Sequence, residues 1–410
     1  MWRTFKNDWA LFAGILMLVA AGSLLTTLLS VRGAAIAFTS TEIGLIQAAY
    51  PLGALAGSSY APKLVERVGH IRSFGALASL CSTAAVVHLL TNDPWVWGSM
   101  RFLAGLCFPG LFVIAESWLN AKAENRSRAA LLSIYFVTQT VGTVIGQGLA
   151  GLHDSTGTKL FGLTSILISL CLIPLLVSRS PAPEFTASER MPLRRFLKIS
   201  PMAILGALLA GASQTAFYVA LPLYGLRLGM DSAETTTLLM AGAAAGAAAQ
   251  FPVGWISDHT DRRFVVIGAS VLAVLVCLGG LAGGPRSVVY AEIALIAAAT
   301  LPMYSICVAH ANDQMTAAQR VPGSGTLVFC YYLGGLFGAF AGPAAIGQMG
   351  ARGFLLLLAL FGAVLAGVAA VRQRQTPPPA DTGKAHPVAV HAQAVGVIGP
   401  DMPGEAETAA

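Results

Sequence analysis

The sequence predicts an all-α membrane protein with twelve transmembrane helices in two six-helix bundles. Three observations predict it. Hydrophobic residues make up 55% of the 410, and charged residues only 11%. The few charges are bunched between long apolar runs, each near the ~20 residues a helix needs to cross roughly 30 Å of hydrocarbon. The second half of the chain also repeats features of the first at a constant spacing. A soluble domain of this length would need a charged shell that the composition lacks.

The first run, over 9–30, is long enough to span and has no small-residue cleavage site in a polar flank, so it reads as a retained helix. Runs at 42–61, 73–91, 95–118, 129–151 and 160–178 complete a first bundle, expected over 1–178. The stretch 179–200 carries Pro181, Pro183, Pro192 and a basic cluster, and is expected to be a cytoplasmic linker. Runs at 201–224, 235–256, 264–283, 288–308, 326–346 and 352–371 form a second bundle over 201–371. Residues 372–410 lack a periodic apolar face and are expected to be a disordered cytoplasmic tail. The histidines there, His386 and His391, are too few for a metal tract.

Loop charges predict orientation. Nineteen Lys and Arg residues fall on the face of the N-terminus, five fall on the other face, and Arg101 lies inside a span. Basic loops favour the cytoplasm, so both termini are expected there. The net charge of +6 is spread over these loops and forms no nucleic-acid patch. All six cysteines fall in apolar runs without CxxC spacing and read as small buried side chains.

The repeat is visible residue by residue. Cys107-Phe108-Pro109-Gly110 matches Thr300-Leu301-Pro302-Met303, Gly142 and Gly146 match Gly334 and Gly338, and the loop from Glu66 to Arg72 matches that beginning at Asp258. Each copy has six spans, so both enter the membrane in the same sense: a parallel repeat about an axis along the membrane normal.

Charges inside or beside the spans carry the candidate chemistry, because an ionisable group in lipid is costly. Asp258 and Arg262, beside Gly254 and Arg263, form an acidic–basic loop suited to latching one bundle to the other. Its first copy, around Arg67, has Pro62 for the glycine and His70 for a basic residue. Arg101 is either a functional charge or one that snorkels to the interface. Glu116 lies about 22 Å further along the same helix. It reads either as a proton-titrating coupling carboxylate or as half of an inner-gate salt bridge with Arg67, Arg126 or Arg128; the gate is favoured because bundle ends with nearby arginines usually pair. His310 can relay a proton or serve the helix end, together with Asp313. Gln139, Gln147, Gln214, Tyr218, Tyr224 and Gln250 are candidates for a substrate cavity, with a helix break expected at Pro252.

Several fragments carry a family resemblance: Arg67-Val68-Gly69-His70-Ile71-Arg72, Glu116-Ser117-Trp118-Leu119-Asn120, Asn125-Arg126-Ser127-Arg128, Gln250-Phe251-Pro252-Val253-Gly254 and His310-Ala311-Asn312-Asp313. Together they resemble the YcaD-like group of the major facilitator superfamily. The resemblance implies a bacterial inner-membrane permease, proton-coupled, with a small molecule and protons as partners in the lipid bilayer. It points to no particular cargo.

No GxxxxGK[ST] phosphate loop supplies an ATP motor, and no HExxH, serine–histidine or paired-aspartate signature suggests an enzyme. The expectation is a secondary active transporter working by alternating access, as a monomer, without cofactor or metal. Export and uptake are both open, and the alternative is a transporter-derived sensor or scaffold without flux.

Overall fold

The structure, a computed structural model, describes residues 2–121, 128–152, 158–177 and 190–375. The expected tail beyond Gln375 and the first half of the linker, 179–189, lie outside the described residues.

Fifteen α-helices and no strand occur among the described residues. The first half holds α1 (Trp2–Ala35), α2 (Ser40–Val68), α3 (His70–Val87), α4 (Pro94–Ala121), α5 (Arg128–Leu149), α6 (Lys159–Leu170) and α7 (Leu172–Val177). A short helix, α8 (Leu193–Ile199), occupies the end of the linker. The second half holds α9 (Pro201–Arg227), α10 (Ser232–His259), α11 (Arg262–Gly280), α12 (Arg286–Thr300), α13 (Met303–Asn312), α14 (Ala317–Met349) and α15 (Ala351–Gln375). The pairs α6–α7 and α12–α13 each make one crossing, which gives twelve. Nine segments are apolar enough to span by hydropathy alone, among the described residues. α2 and α5 carry Gln47, Gln139 and Gln147 into the space between the halves.

Matching sequence signals start matching helices. Thr39 caps α2, accepting from the Glu42 N–H at 3.2 Å while the Glu42 side chain accepts from the Thr39 N–H at 2.7 Å. Asp231 and Glu234 do the same at α10, at 2.8 and 3.0 Å. These reciprocal boxes each satisfy two orphan N–H groups, and they lie 192 residues apart.

The repeat also sets close helix contacts in both halves. A Cβ added to Gly142 or Gly146 of α5 would sit 3.0 or 2.2 Å from the carbonyl oxygen of Leu16 or Ala20 in α1. One added to Gly334 or Gly338 of α14 would sit 1.8 or 2.0 Å from that of Leu208 or Ala212 in α9. Only glycine lets these backbones touch, as small residues do throughout membrane bundles.

One expectation is corrected. α10 runs unbroken through Pro252, as α2, α4 and α9 run through Pro51, Pro109 and Pro222. Neighbouring helices hold such a segment together although one N–H is missing. The break falls instead at Leu301 and Pro302, between α12 and α13. There the Thr300 hydroxyl donates to the Ile296 carbonyl at 2.8 Å, a contact that bends helices, and Pro302 removes a donor two residues on.

The halves meet along three lines. Ser30 of α1 donates to the Val219 carbonyl of α9 at 3.0 Å. Gly44 of α2 lies against Phe340 of α14, and Phe136 of α5 meets the Phe251 ring of α10 edge-on at 6.0 Å. At the basic face Arg190 donates to Ser58 of α2 at 2.7 Å and lies 5.7 Å over the Phe329 ring of α14. The next residue, Met191, donates its N–H to the Pro322 carbonyl at 3.0 Å. All six cysteines are buried.

Candidate functional site

Between the halves lies a cavity of about 180 Å³. The first half contributes Thr26 and its neighbours on α1, Gln47 and Tyr50 on α2, Arg101, Phe108 and Phe112 on α4, and Gln139, Thr143 and Gln147 on α5. The second half contributes Gln214, Thr215 and Tyr218 on α9, and Tyr331 and Tyr332 on α14. The cavity therefore sits where movement of one half against the other would change its exposure.

Arg101 enters this wall from α4 and is 3% exposed. Its Nη2 donates to Thr26 Oγ1 at 2.7 Å, and the guanidinium lies 4.5 Å over the Tyr50 ring. The aromatic face offers the cation electrostatic attraction. Arg101 is a wall residue and not an interfacial one, so snorkelling does not describe it. Gln47, the next polar group on α2, donates to the Thr26 carbonyl at 2.8 Å and to Ser30 at 2.9 Å.

Glu116 lies deeper on α4, toward the basic face, and is 2% exposed. The Tyr135 hydroxyl of α5 donates to its carboxylate. Gln139, one helical turn on from Tyr135 in α5, lines the cavity. The adjacent Ser117 hydroxyl lies 3.0 Å from His70 Nε2 of α3, and the His70 ring packs on Trp118 at 5.7 Å. Arg67 is exposed at the end of α2. The side chain of Arg128, and Arg126 altogether, lie outside the described residues.

The second-half loop forms a compact ion cluster. Arg262, 4% exposed, donates to Asp313 at 2.7 Å and to Asp258 at 3.1 Å, joining α10, α11 and the end of α13. Arg263 pairs with Asp261 at 2.9 Å. Asp261 precedes α11 and accepts from the Arg263 N–H at 3.0 Å. Burial raises the Asp261 carboxyl, but the Arg263 side chain and backbone outweigh it and hold it below the ordinary aspartate value. His310 is buried, with Nε2 3.0 Å from Gln314. These described contacts all lie within the second half.

Of the anticipated cavity residues, Gln139, Gln147, Gln214 and Tyr218 line the main cavity. Gln250 lines a smaller pocket of about 30 Å³ between α5 and α10, which shares Gln214 and Tyr218 with the first. Tyr224 packs in the core, 5.0 Å from the Phe354 ring. Unanticipated are Tyr50 beneath Arg101, Tyr135 on Glu116, and Tyr331, whose hydroxyl donates to Gln214. The Tyr331-Tyr332 pair inside an apolar run was the available signal for one of them.

The family model of the Major Facilitator Superfamily matches residues 10–296 and 203–398. Relatives named "uncharacterized MFS-type transporter YcaD" include one from Salmonella arizonae, 27% identical over 331 residues, covering 80% of this chain and 86% of that protein. Another, from Escherichia fergusonii, is 26% identical with the same coverage. Among solved structures, the nucleoside transporter NupG superposes with a TM-score of 0.72 at 13% identity, covering 89% of this chain and 98% of that one. A bacterial homologue of the human lysosomal transporter Spinster gives 0.72 at 16%, covering 91% and 97%. The E. coli fucose:proton symporter FucP gives 0.59 at 17%, covering 90% and 99%.

Proposed function

From the premise that the chain belongs to the major facilitator superfamily, we propose that it is a secondary active transporter which moves a small molecule by alternating access and couples that movement to protons through Glu116. The observation that carries this reading is the cavity itself. Both halves wall it. Rocking of one half on the other would expose such a site to each side in turn.

Glu116 is placed to sense that movement. Its hydroxyl partner, Tyr135, can donate to a carboxylate and accept from a protonated acid, so the pair survives either protonation state. Gln139, one turn along α5 from Tyr135, lines the wall where cargo would sit. The likeness to a fucose:proton symporter is in keeping with this reading. The excess of basic loops on the terminal face supports a bacterial inner-membrane location with both termini in the cytoplasm.

The test is flux in proteoliposomes under an imposed pH gradient of either sign, with a broad metabolite and drug panel. Glu116→Gln and Tyr135→Phe should abolish gradient-driven flux and leave cargo counterflow intact. Loss of counterflow together with driven flux would make Glu116 a structural gate. Absence of driven flux for every compound would refute transport.

A further inference from the structure

The buried arginines of this protein are treated unequally. Arg262 and Arg263, each 4% exposed, carry carboxylate partners from the fold. Arg101 is equally buried, but its Nε and Nη1 have no hydrogen-bond partner. Its described contacts are one threonine hydroxyl and the face of Tyr50. Among the described residues no Asp or Glu lines the cavity that Arg101 faces. A buried charge without a counter-charge is expensive, and proteins rarely keep one that nothing answers.

The wall below Arg101 has a different character. Phe108 and Phe112 follow on the same helix, with rings stacked at 6.2 Å, and Tyr50 lies 6.2 Å from Phe108. Tyr218 and Tyr331 face them from the second half. The cavity thus has one cationic pole and an aromatic body. A cation would be repelled by the guanidinium in a low-dielectric space. A second negative charge would meet aromatic faces, whose quadrupole is negative.

We propose that the cavity binds a small organic monoanion, a carboxylate with an apolar or aromatic body, whose head group is held by Arg101. This inference rests on the transporter reading for its biological sense, but the binding site is testable without flux. Thr26 holds one edge of the guanidinium, and the aromatic wall takes the body. The anion supplies the counter-charge that the fold withholds.

The experiment measures thermal stabilisation of the purified full-length protein by matched probes. Benzoate and hexanoate are compared with benzamide, hexanamide and benzylamine, on the wild type, Arg101→Gln and Arg101→Lys. Carboxylates should stabilise the wild type and their amides should not. Arg101→Gln should weaken carboxylate binding about 10- to 100-fold, the range of a hydrogen bond to a charged group. Arg101→Lys should fall between, because it keeps the charge but loses the planar donors. If Arg101→Gln does not fold, the acid–amide comparison and Arg101→Lys still decide. Amides binding as well as acids, preference for benzylamine, unaltered binding in Arg101→Gln, or no carboxylate binding at concentrations on the order of millimolar would each overturn the proposal. Carboxylate binding without gradient-driven flux would refute the transporter reading and leave the anion site standing. Driven flux of neutral or cationic cargo alone would do the reverse.

Discussion

Replacing Gly338 with alanine should loosen the second half of the protein by about 2 kcal/mol. The added Cβ would lie 2.0 Å from the Ala212 carbonyl oxygen, against about 3.4 Å for ordinary contact, so α9 and α14 must part by about 1.4 Å there. The nearest atoms, the O, C and Cα of Ala212, are all backbone, and no side chain can swing aside. Overpacking of this kind costs roughly 1–3 kcal/mol, and this contact belongs at the severe end. Alanine returns about 0.8–1.0 kcal/mol of helix propensity. Gly146→Ala, its counterpart on α5, would place a Cβ 2.2 Å from the Ala20 carbonyl and should behave alike. Gly367→Ala on α15 meets nothing within 4 Å and should be neutral or stabilising. Thermal unfolding in detergent, followed by tryptophan fluorescence, ranks the three variants. A Gly338→Ala protein at or above the wild-type midpoint, or level with Gly367→Ala, would refute the argument that backbone contact sets this seam.

Further outcomes concern the ion clusters at the basic face. Asp313→Asn should destabilise more than Asp258→Asn, because Asp313 holds Arg262 at 2.7 Å and is 15% exposed, whereas Asp258 holds it at 3.1 Å and is 23% exposed. The first should approach the ~3–5 kcal/mol of a broken buried pair and the second about 1 kcal/mol; equal denaturation midpoints would contradict this. Asp261 has a lowered pKa in the folded protein, so its contribution is present above the unfolded value and lost as pH falls through the folded one. Wild type and Asp261→Asn should therefore differ in thermal midpoint at neutral pH and converge below about pH 4. A constant gap across that range would remove Asp261 titration from the account.

Much of the fold is legible because lipid imposes a single rule, a helix of sufficient length, on every crossing. The runs at 201–224 and 352–371 lie inside α9 and α15. The glycine pairs at 142/146 and 334/338 foretold a repeat, and the structure shows why those residues must be glycine. The capping pairs Thr39/Glu42 and Asp231/Glu234 are equally readable as helix starts. Pro252 misled because proline removes one hydrogen bond, while the integrity of α10 depends on packing that no local pattern records. The site was half legible for the same reason. Arg101 and Glu116 stand out as charges in apolar runs, but Tyr50 and Tyr135 reach them from other helices. Partners of that kind follow from helix packing, and packing follows from contacts far apart in the chain.

The duplicated frame carries chemistry that is not duplicated. In the second half the counterparts of Arg101 are Ile293 or Ala294, and those of Glu116 are Val308 or Ala309, depending on whether the spacing is taken as 192 or 193. Ile293 and Val308 are buried in the apolar core. A cargo bound to Arg101 is therefore harnessed to α4 and travels with the first half. The second half, with its two tyrosines on α14, would be the wall that slides across it. In such a cycle two bundles of one design would divide the work into a holder and a shutter, polarised from within although the scaffold is nearly twofold.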